Sequence, residues 1–487
     1  MKEARATSRD LFTLRETLAR LEPGAARQAN DPPKPEEIFT PPLHAYALDP
    51  QRALVVGNRG VGKSFWSAVL TDDAALGKIA VAYPRLRLTQ VKAVLGFHEA
   101  AGKSDGPAPS AVNLGHLLKG GLKPESIWRG VLLNAVRVEA QLQAPTTLGD
   151  LVRWMDVNPE GSESALRAAD QYFQTRDKIF LLVFDALDRL GDDWGVITEL
   201  TEGILRLALD MRGFRAMKAK VFIRTDQSKD DSLFRFADAS KIRTDAVKLT
   251  WRRTELFGLM YNYFRQEISC SASLARLYGA EILSDFDFDL LEKEETVQQQ
   301  LFYRLAGEFM GASAKQGRTY TWLHDHLADT FGETSPRSFI TALRTAAMHT
   351  PLPQTTVIDY QGIRAGVQDA SGVRVEQLKE DYDWIEIAMK ALSGLQVPCD
   401  PSTFIARWKE IGTVAALRKG AEVEARRMPL EVSKAAGIAE DGLLDALSNI
   451  GVVEYRTNIR INMPDIFRVA AGIKRRGGVR PPSARGD

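Results

Sequence analysis

The chain has 487 residues, 26% of them charged, with a net charge of +1 and two cysteines, Cys270 and Cys399. Near-neutrality excludes a global electrostatic footprint for nucleic acid, and two distant cysteines exclude a disulfide scaffold or a cysteine-rich zinc site. No apolar run has the length of a membrane span or a signal-peptide core, so the expectation is a cytoplasmic protein without membrane contact.

In chain order, residues 1–40 are polar, and the Pro-rich stretch at 32–37 reads as a linker. Residues 53–57 form a short apolar strand leading through a glycine-dense turn into a helix at 65–70. Residues 78–83 read as a second strand. The stretch 97–178 is mixed, with helices near 126–141 and 164–176 and no interpretable motif. Continuous apolar runs at 180–184, 220–224 and 246–250 fit strands buried on both faces of a parallel sheet, with a helix at 198–212 between the first two. Strands alternating with helices predict a doubly wound α/β sheet.

From 254 to 348 the spacing is helical, and 351–378 reads as a loop-rich connection. Helices follow at 383–395, 402–411, 414–427 and 442–450, then a β-hairpin over 452–463 and a basic Gly/Pro-rich tail expected to be disordered.

The run Gly57-Asn58-Arg59-Gly60-Val61-Gly62-Lys63-Ser64, closed by Phe65 at the start of a helix, matches the phosphate-binding loop of nucleotide-binding proteins. Its glycines let backbone N–H groups converge on a phosphate, and the helix that follows presents its N-terminus to the same anion. Lys63 would reach the β- and γ-phosphates, and Ser64 would ligate Mg²⁺. The metal needs an acid at the end of a buried strand beside the first, and Asp185 supplies it. Ala186 follows where many such hydrolases carry Glu. The next acid, Asp188, either orients the attacking water or is a structural partner of Arg189 or another residue.

These residues resemble the signal-transduction ATPases with numerous domains (STAND) and the KAP and origin-recognition-like branches of the AAA+ group. The run Asp185-Ala186-Leu187-Asp188-Arg189-Leu190 is close to their acidic signature, with Ala186 in place of the second acid. The resemblance covers residues 45–350. It implies ATP/ADP as the nucleotide, Mg²⁺ as the metal, and a P-loop parallel sheet with a helical lid. It further implies a γ-phosphate sensor at the end of the strand after the one bearing Asp185. Arg224 or Thr225 fills that place, Arg224 being favoured. A lid arginine reaching back to the nucleotide would be Arg337, after Pro336 in the first turn of its helix. A trans-acting arginine finger would come from Arg235, Lys241 or Arg243. The implied function is an ATP-binding, hydrolysing switch in a multi-protein assembly, with bacterial defence as one setting. A DNA loader or a scaffold for a separate effector stand as alternatives.

The expected domains are an extension and linker (1–40), the P-loop core (41–250), a helical lid (251–350), a connector (351–380), a winged-helix-like α+β domain (381–470) and the tail (471–487). Self-association or a protein partner is expected through the lid and winged helix. The recognition helix carries no Arg or Lys, and its polar face offers Asp441, Asp445, Ser448 and Asn449. DNA would therefore rely on the wing residues Arg456 and Arg460 and on Arg426, Arg427, Lys434, Lys474, Arg475 and Arg476. His324 and His326, two apart on a helix, do not face each other, and no metal site is expected there. Trp66 is expected in the core.

Overall fold

The computed structural model describes residues 6–23, 32–102, 106–191, 193–279, 287–350, 355–423 and 439–475, and positions 429, 431, 432, 479 and 481. The chain divides into two compact units. One is Ala25–Thr250; the other joins Met1–Gly24 to Trp251–Asp487.

The first unit is built on a parallel sheet of β1 (Leu54–Val56), β2 (Val91–Phe97), β3 (Ile179–Phe184), β4 (Met217–Ile223) and β5 (Val247–Lys248), in the order β2-β3-β4-β1-β5. Its central strands are almost wholly buried, as continuous apolar runs dictate. Helices Pro124–Arg137 and Trp194–Asp210 bury their apolar stripes in the same core, where the Trp128 indole donates to the Leu200 carbonyl at 2.9 Å. Lys220 is a buried exception within β4. Its ammonium donates to the carbonyls of Asp49 (2.7 Å) and Arg52, tying the turn before β1 to the sheet. Burial pushes its pKa down to about 7.

Two expectations fail in this unit. Residues 78–82 end a helix, Asp73–Ala82, with Tyr83 as its C-cap; the Asp72 side chain begins it by accepting from Ala75 N–H, and it buries Ala75, Leu76 and Ile79. The second strand is Val91–Phe97, further along. Nor does the Asp185 strand lie beside β1: β4 is hydrogen-bonded to both and separates them.

The second unit is helical up to Asp381. Residues 1–40, expected to be an extension and linker, contain a helix, Ser8–Ala19, that buries Leu11, Leu14 and Leu18. Asp10 accepts from Ser273 Oγ (2.9 Å) and Arg276 Nε (3.0 Å), and Arg15 Nε donates to the Val357 carbonyl (2.9 Å). Burial alone would raise the Asp10 carboxyl, but Arg276, Thr7 and Ser273 hold it well below the usual range.

The expected connector is the longest helix of the chain's described residues, Tyr360–Asp381. Its glycines read as loop markers but serve packing. A Cβ on Gly366 would lie 2.2 Å from the Ala342 carbonyl oxygen, and one on Gly362 2.6 Å from that of Ala346. Both oxygens belong to helix Pro336–His349, so two small residues four apart on each helix let the backbones touch. Gly366→Ala is expected to destabilise the protein by about 1–3 kcal/mol, because the clash is with backbone. Chemical denaturation checks this, and Gly372→Ala, with open space around it, should be neutral or stabilising.

After helix Ile385–Lys390 come β6 (Gln396–Val397), helices Pro401–Ile411, Thr413–Val423 and Ala439–Asn449, then β7 (Glu454–Tyr455) and β8 (Ile461–Asn462), an antiparallel pair. Cys399 bridges to Ile461, adding a third extended segment. This is the element order of a winged helix. Lys474 and Arg475, expected in a disordered tail, form β9 (Lys474–Arg475) on β6. Arg426, Arg427, Lys434 and Arg476 lie outside the described residues. Among the described residues no helix is long and apolar enough to cross a membrane.

Candidate functional site

The phosphate loop leaves β1 at Gly57, whose N–H still bonds to the Ile223 carbonyl of β4 at 3.1 Å. A Cβ there would press on Val61 Cγ2 at 2.7 Å, so the loop closes on itself only with glycine. Gly60 (φ 80°) and Gly62 (φ 103°) take left-handed conformations that free the loop to curl. Helix Lys63–Thr71 starts directly after Gly62, leaving its first N–H groups without partners within the helix. Lys63 Nζ donates to the loop's own carbonyls at Gly57 (2.9 Å) and Asn58 (3.1 Å), so the ammonium lies over the loop's mouth.

Asp185 follows β3 and is buried, with its N–H bonded to the Phe97 carbonyl at 3.0 Å. The Ser64 hydroxyl and the Lys63 ammonium stand close enough to act on its carboxyl. Burial pushes the Asp185 carboxyl above its ordinary pKa, and the nearby charge of Asp188 adds to this. The Ser64 hydroxyl, the Lys63 ammonium and the Ala186 N–H oppose it without cancelling it. A hydroxyl near a buried carboxylate supplies oxygen donors suited to Mg²⁺, which would offset the charge. With the loop's glycines and Lys63, the residues fit a nucleotide's phosphates and its metal. Among the described residues no group of three or more His, Cys, Asp or Glu could hold a metal, so a cation here would depend on this pair and on phosphate oxygens.

Ala186 stands in the left-handed region (φ 55°), unusual for a residue with a Cβ, and turns the chain into a short helix, Leu187–Arg189. Asp188 does not pair with Arg189, whose partner is Glu99 at 2.8 Å. Its carboxylate instead stands 3.7 Å from Arg224 Nη1.

Arg224 follows β4, between the strands that carry the phosphate loop and Asp185. It was expected as a sensor, but its guanidinium is already held. Nε donates to Asp226 Oδ1 at 3.0 Å and Nη2 to Asp226 Oδ2 at 2.5 Å. Burial works against the Asp226 carboxylate, yet Arg224 and the N–H groups of Asp226 and Gln227 hold its pKa below the ordinary value. Thr225 opens the short helix Thr225–Lys229.

Asp226 was missed by the sequence reading. The signal was an acid two residues beyond the sensor position, which the turn from strand to helix folds back onto Arg224. His44 was also missed; its partner Thr250 is 206 residues away.

Among the finger candidates, Lys241 pairs with Asp238 (2.9 Å) and Arg243 with Asp231 (2.8 Å). Arg235 is exposed and makes no ion pair or hydrogen bond among the described residues. Arg337 lies in the other unit, in the first turn of helix Pro336–His349. Towards the C-terminus Arg460 donates to the Pro398 carbonyl and Arg456 stands 3.8 Å from Glu454, while Asp441 and Asp445 are exposed on helix Ala439–Asn449. Trp66 is fully buried, as expected. His326 stacks on Trp322 (3.8 Å between ring centres) and His324 bonds to Asp325 (3.2 Å).

An α/β parallel sheet with a phosphate loop, and an acid at the end of a strand two places away, defines the fold of the P-loop nucleoside triphosphatases. No protein-family model matches the chain, and no curated protein is significantly similar to it in sequence. Solved structures that resemble it weakly over most of their length include three archaeal proteins. The Aeropyrum pernix ORC2 protein, solved as ADPNP–ADP complexes, is 13% identical, with 91% of this chain and 94% of that one covered and a TM-score of 0.38. The A. pernix ORC1 protein, solved in complex with DNA, is 11% identical over 92% and 93%, with a TM-score of 0.32. Cdc6p from Pyrobaculum aerophilum is 12% identical over 86% and 84%, with a TM-score of 0.27.

Proposed function

We propose that the chain is an ATP- and Mg²⁺-binding molecular switch that hydrolyses slowly and acts through a protein partner. The observation that carries this reading is the buried Asp185 carboxyl at the end of its strand, beside Ser64 and the glycine loop whose carbonyls hold the Lys63 ammonium. Lys63 and the N–H groups of residues 57–65 would hold the phosphates; Ser64 and Asp185 would hold the metal. The metal supplies charge neutralisation at the phosphates when bound.

Slow turnover follows from the residues around Asp185. The position after it is Ala186, and the nearest further acid, Asp188, faces the Arg224 guanidinium. An acid displaced from the position directly after Asp185 and facing Arg224 would orient water but activate it poorly. Arg224, once drawn toward a γ-phosphate, would loosen its hold on Asp188 and report the nucleotide's state. Arg337 is the proposed lid contribution and Arg235 the proposed trans-acting arginine, being exposed and unpaired among the described residues. The working divisions are a core at 41–250, a lid at 251–350 and a winged helix at 381–470, in a cytoplasmic protein.

A protein partner is favoured over DNA because Asp441 and Asp445 line the recognition helix while Arg460 is folded back onto the domain. Phosphate release from ATP with Mg²⁺, with and without duplex DNA, tests the reading on wild type, Lys63→Ala and Asp188→Ala. The expected result is slow turnover, not stimulated by DNA and lost in Lys63→Ala together with nucleotide binding. A Lys63→Ala protein that binds ATP as tightly as wild type would overturn the site assignment. Strong, salt-sensitive stimulation by DNA would overturn the choice of partner.

A further inference from the structure

We propose that His44 is a positioning residue that ties the phosphate-loop helix to the point where the chain leaves the nucleotide-binding core. The proposal rests on the nucleotide reading above and assigns how binding there is passed on. His44 opens the short helix His44–Leu48 and is buried. Its Nδ1 lies 3.0 Å from Trp66 Nε1, and its Nε2 lies 3.0 Å from the Thr250 carbonyl oxygen. An indole N–H only donates and a carbonyl only accepts. One neutral tautomer satisfies both: Nδ1 accepts from Trp66, and Nε2–H donates to Thr250. Burial drives the imidazole pKa down to about 4, so the neutral ring persists at working pH. The ring meets the Trp66 indole edge-on, with centroids 5.5 Å apart.

Both ends of this link matter. Trp66 is fully buried two residues after Ser64, in the helix whose first turn faces the phosphates. Thr250 closes the segment after β5, whose neighbour Leu249 donates to the Val56 carbonyl of β1 at 2.8 Å. The end of β1, the phosphate-loop helix and Thr250 are therefore joined in one hydrogen-bonded circuit through His44. At the next residue, Trp251, the chain enters the other unit. A shift of the phosphate-loop helix on binding moves Trp66, and a close-packed core passes that displacement to Thr250 rather than absorbing it.

Hydrogen exchange of the backbone amides at 251–256 in the full chain, with and without Mg²⁺ and ATP, reads the link directly. Nucleotide affinity is measured on the same samples. His44→Leu removes both bonds. His44→Gln keeps an acceptor and a donor spaced about as far apart as the ring nitrogens. Trp66→Phe removes the indole donor while leaving an aromatic ring, and serves if His44→Leu fails to fold. In wild type, nucleotide is expected to change exchange at these amides about fivefold or more. In His44→Leu and Trp66→Phe nucleotide should still bind while the response is lost, and His44→Gln should restore it. A response that survives in both loss variants overturns the link while leaving the nucleotide reading intact. Failure of wild type to bind nucleotide overturns that reading instead.

Discussion

Asp185→Asn is expected to stabilise the nucleotide-free protein and at the same time to abolish its stabilisation by Mg²⁺ and ATP. The Asp185 carboxyl sits above its ordinary pKa because burial outweighs the Ser64, Lys63 and Ala186 contributions. A raised value means that the folded chain holds this proton more tightly than the unfolded chain does. The favourable contribution is fully present below the ordinary carboxylate range and is lost as pH rises through the raised value. At neutral pH the ionised form is therefore a cost, which the amide removes; the gain of the variant should grow with pH and vanish in acid. The metal-dependent term behaves in the opposite way. At a ligand concentration 100 times the dissociation constant, wild type should gain about 2.7 kcal/mol. Losing the carboxylate should weaken Mg²⁺-dependent affinity on the order of 100-fold, leaving about 0.4 kcal/mol at the same concentration. Calorimetry at several pH values, with and without Mg²⁺ and ATP, measures both terms. A variant less stable than wild type without nucleotide, yet fully stabilised with it, would remove Asp185 from the metal site.

The other large effect is expected in the second unit. Asp465 and Arg468, one turn apart, are both almost completely buried in the second unit. Arg468 Nε donates to Asp465 Oδ1 at 2.7 Å and its Nη1 to the Ile473 carbonyl at 3.1 Å, while Nη2 has no hydrogen-bond partner among the described residues. Arg475 Nη1 reaches the same carboxylate at 3.4 Å, the Val479 N–H donates to Oδ2 at 3.2 Å, and His326 Nε2 stands 3.8 Å away. Asp465→Ala would leave a guanidinium buried without its counter-charge, a loss of about 3–5 kcal/mol. The double variant Asp465→Leu, Arg468→Met removes both charges and should recover most of that. Urea unfolding followed by circular dichroism distinguishes them. An Asp465→Ala protein within about 1 kcal/mol of wild type would mean that water or local rearrangement solvates Arg468 cheaply.

Strands β1, β3, β4 and β5 were legible because buried parallel strands are written as unbroken apolar runs, and the phosphate loop marks its own place between strand and helix. Residues 78–83 failed for the same reason in reverse: Ile79, Val81 and the alanines make an apolar run, but only Ala75, Leu76 and Ile79 face the core, at helical spacing. The helix Tyr360–Asp381 was hidden by Gly362, Gly366 and Gly372, since a packing glycine and a turn glycine look alike without the neighbouring helix. At the site, Gly57–Ser64 and Asp185 could be read because their spacing is local. Strand order could not, so Asp185 was placed one strand too near. The engagement of Arg224 by Asp226, and of Thr250 by His44, depends on turns and long-range closure that leave no periodic trace.

The path of the backbone turns the ends of the molecule into an engineering constraint. Helix Ser8–Ala19 lies at the start of the chain, yet its leucines are buried in the unit formed by the last 237 residues, not in the core that follows it. Trimming this polar-looking segment, or fusing a bulky label close to Asp10, is therefore expected to perturb the unit that holds Trp251–Asp487. A fragment starting at Trp251 would expose the apolar trough where Leu11, Leu14 and Leu18 belong and would be prone to aggregate, whereas supplying residues 1–24 as a separate peptide offers a way to cap it.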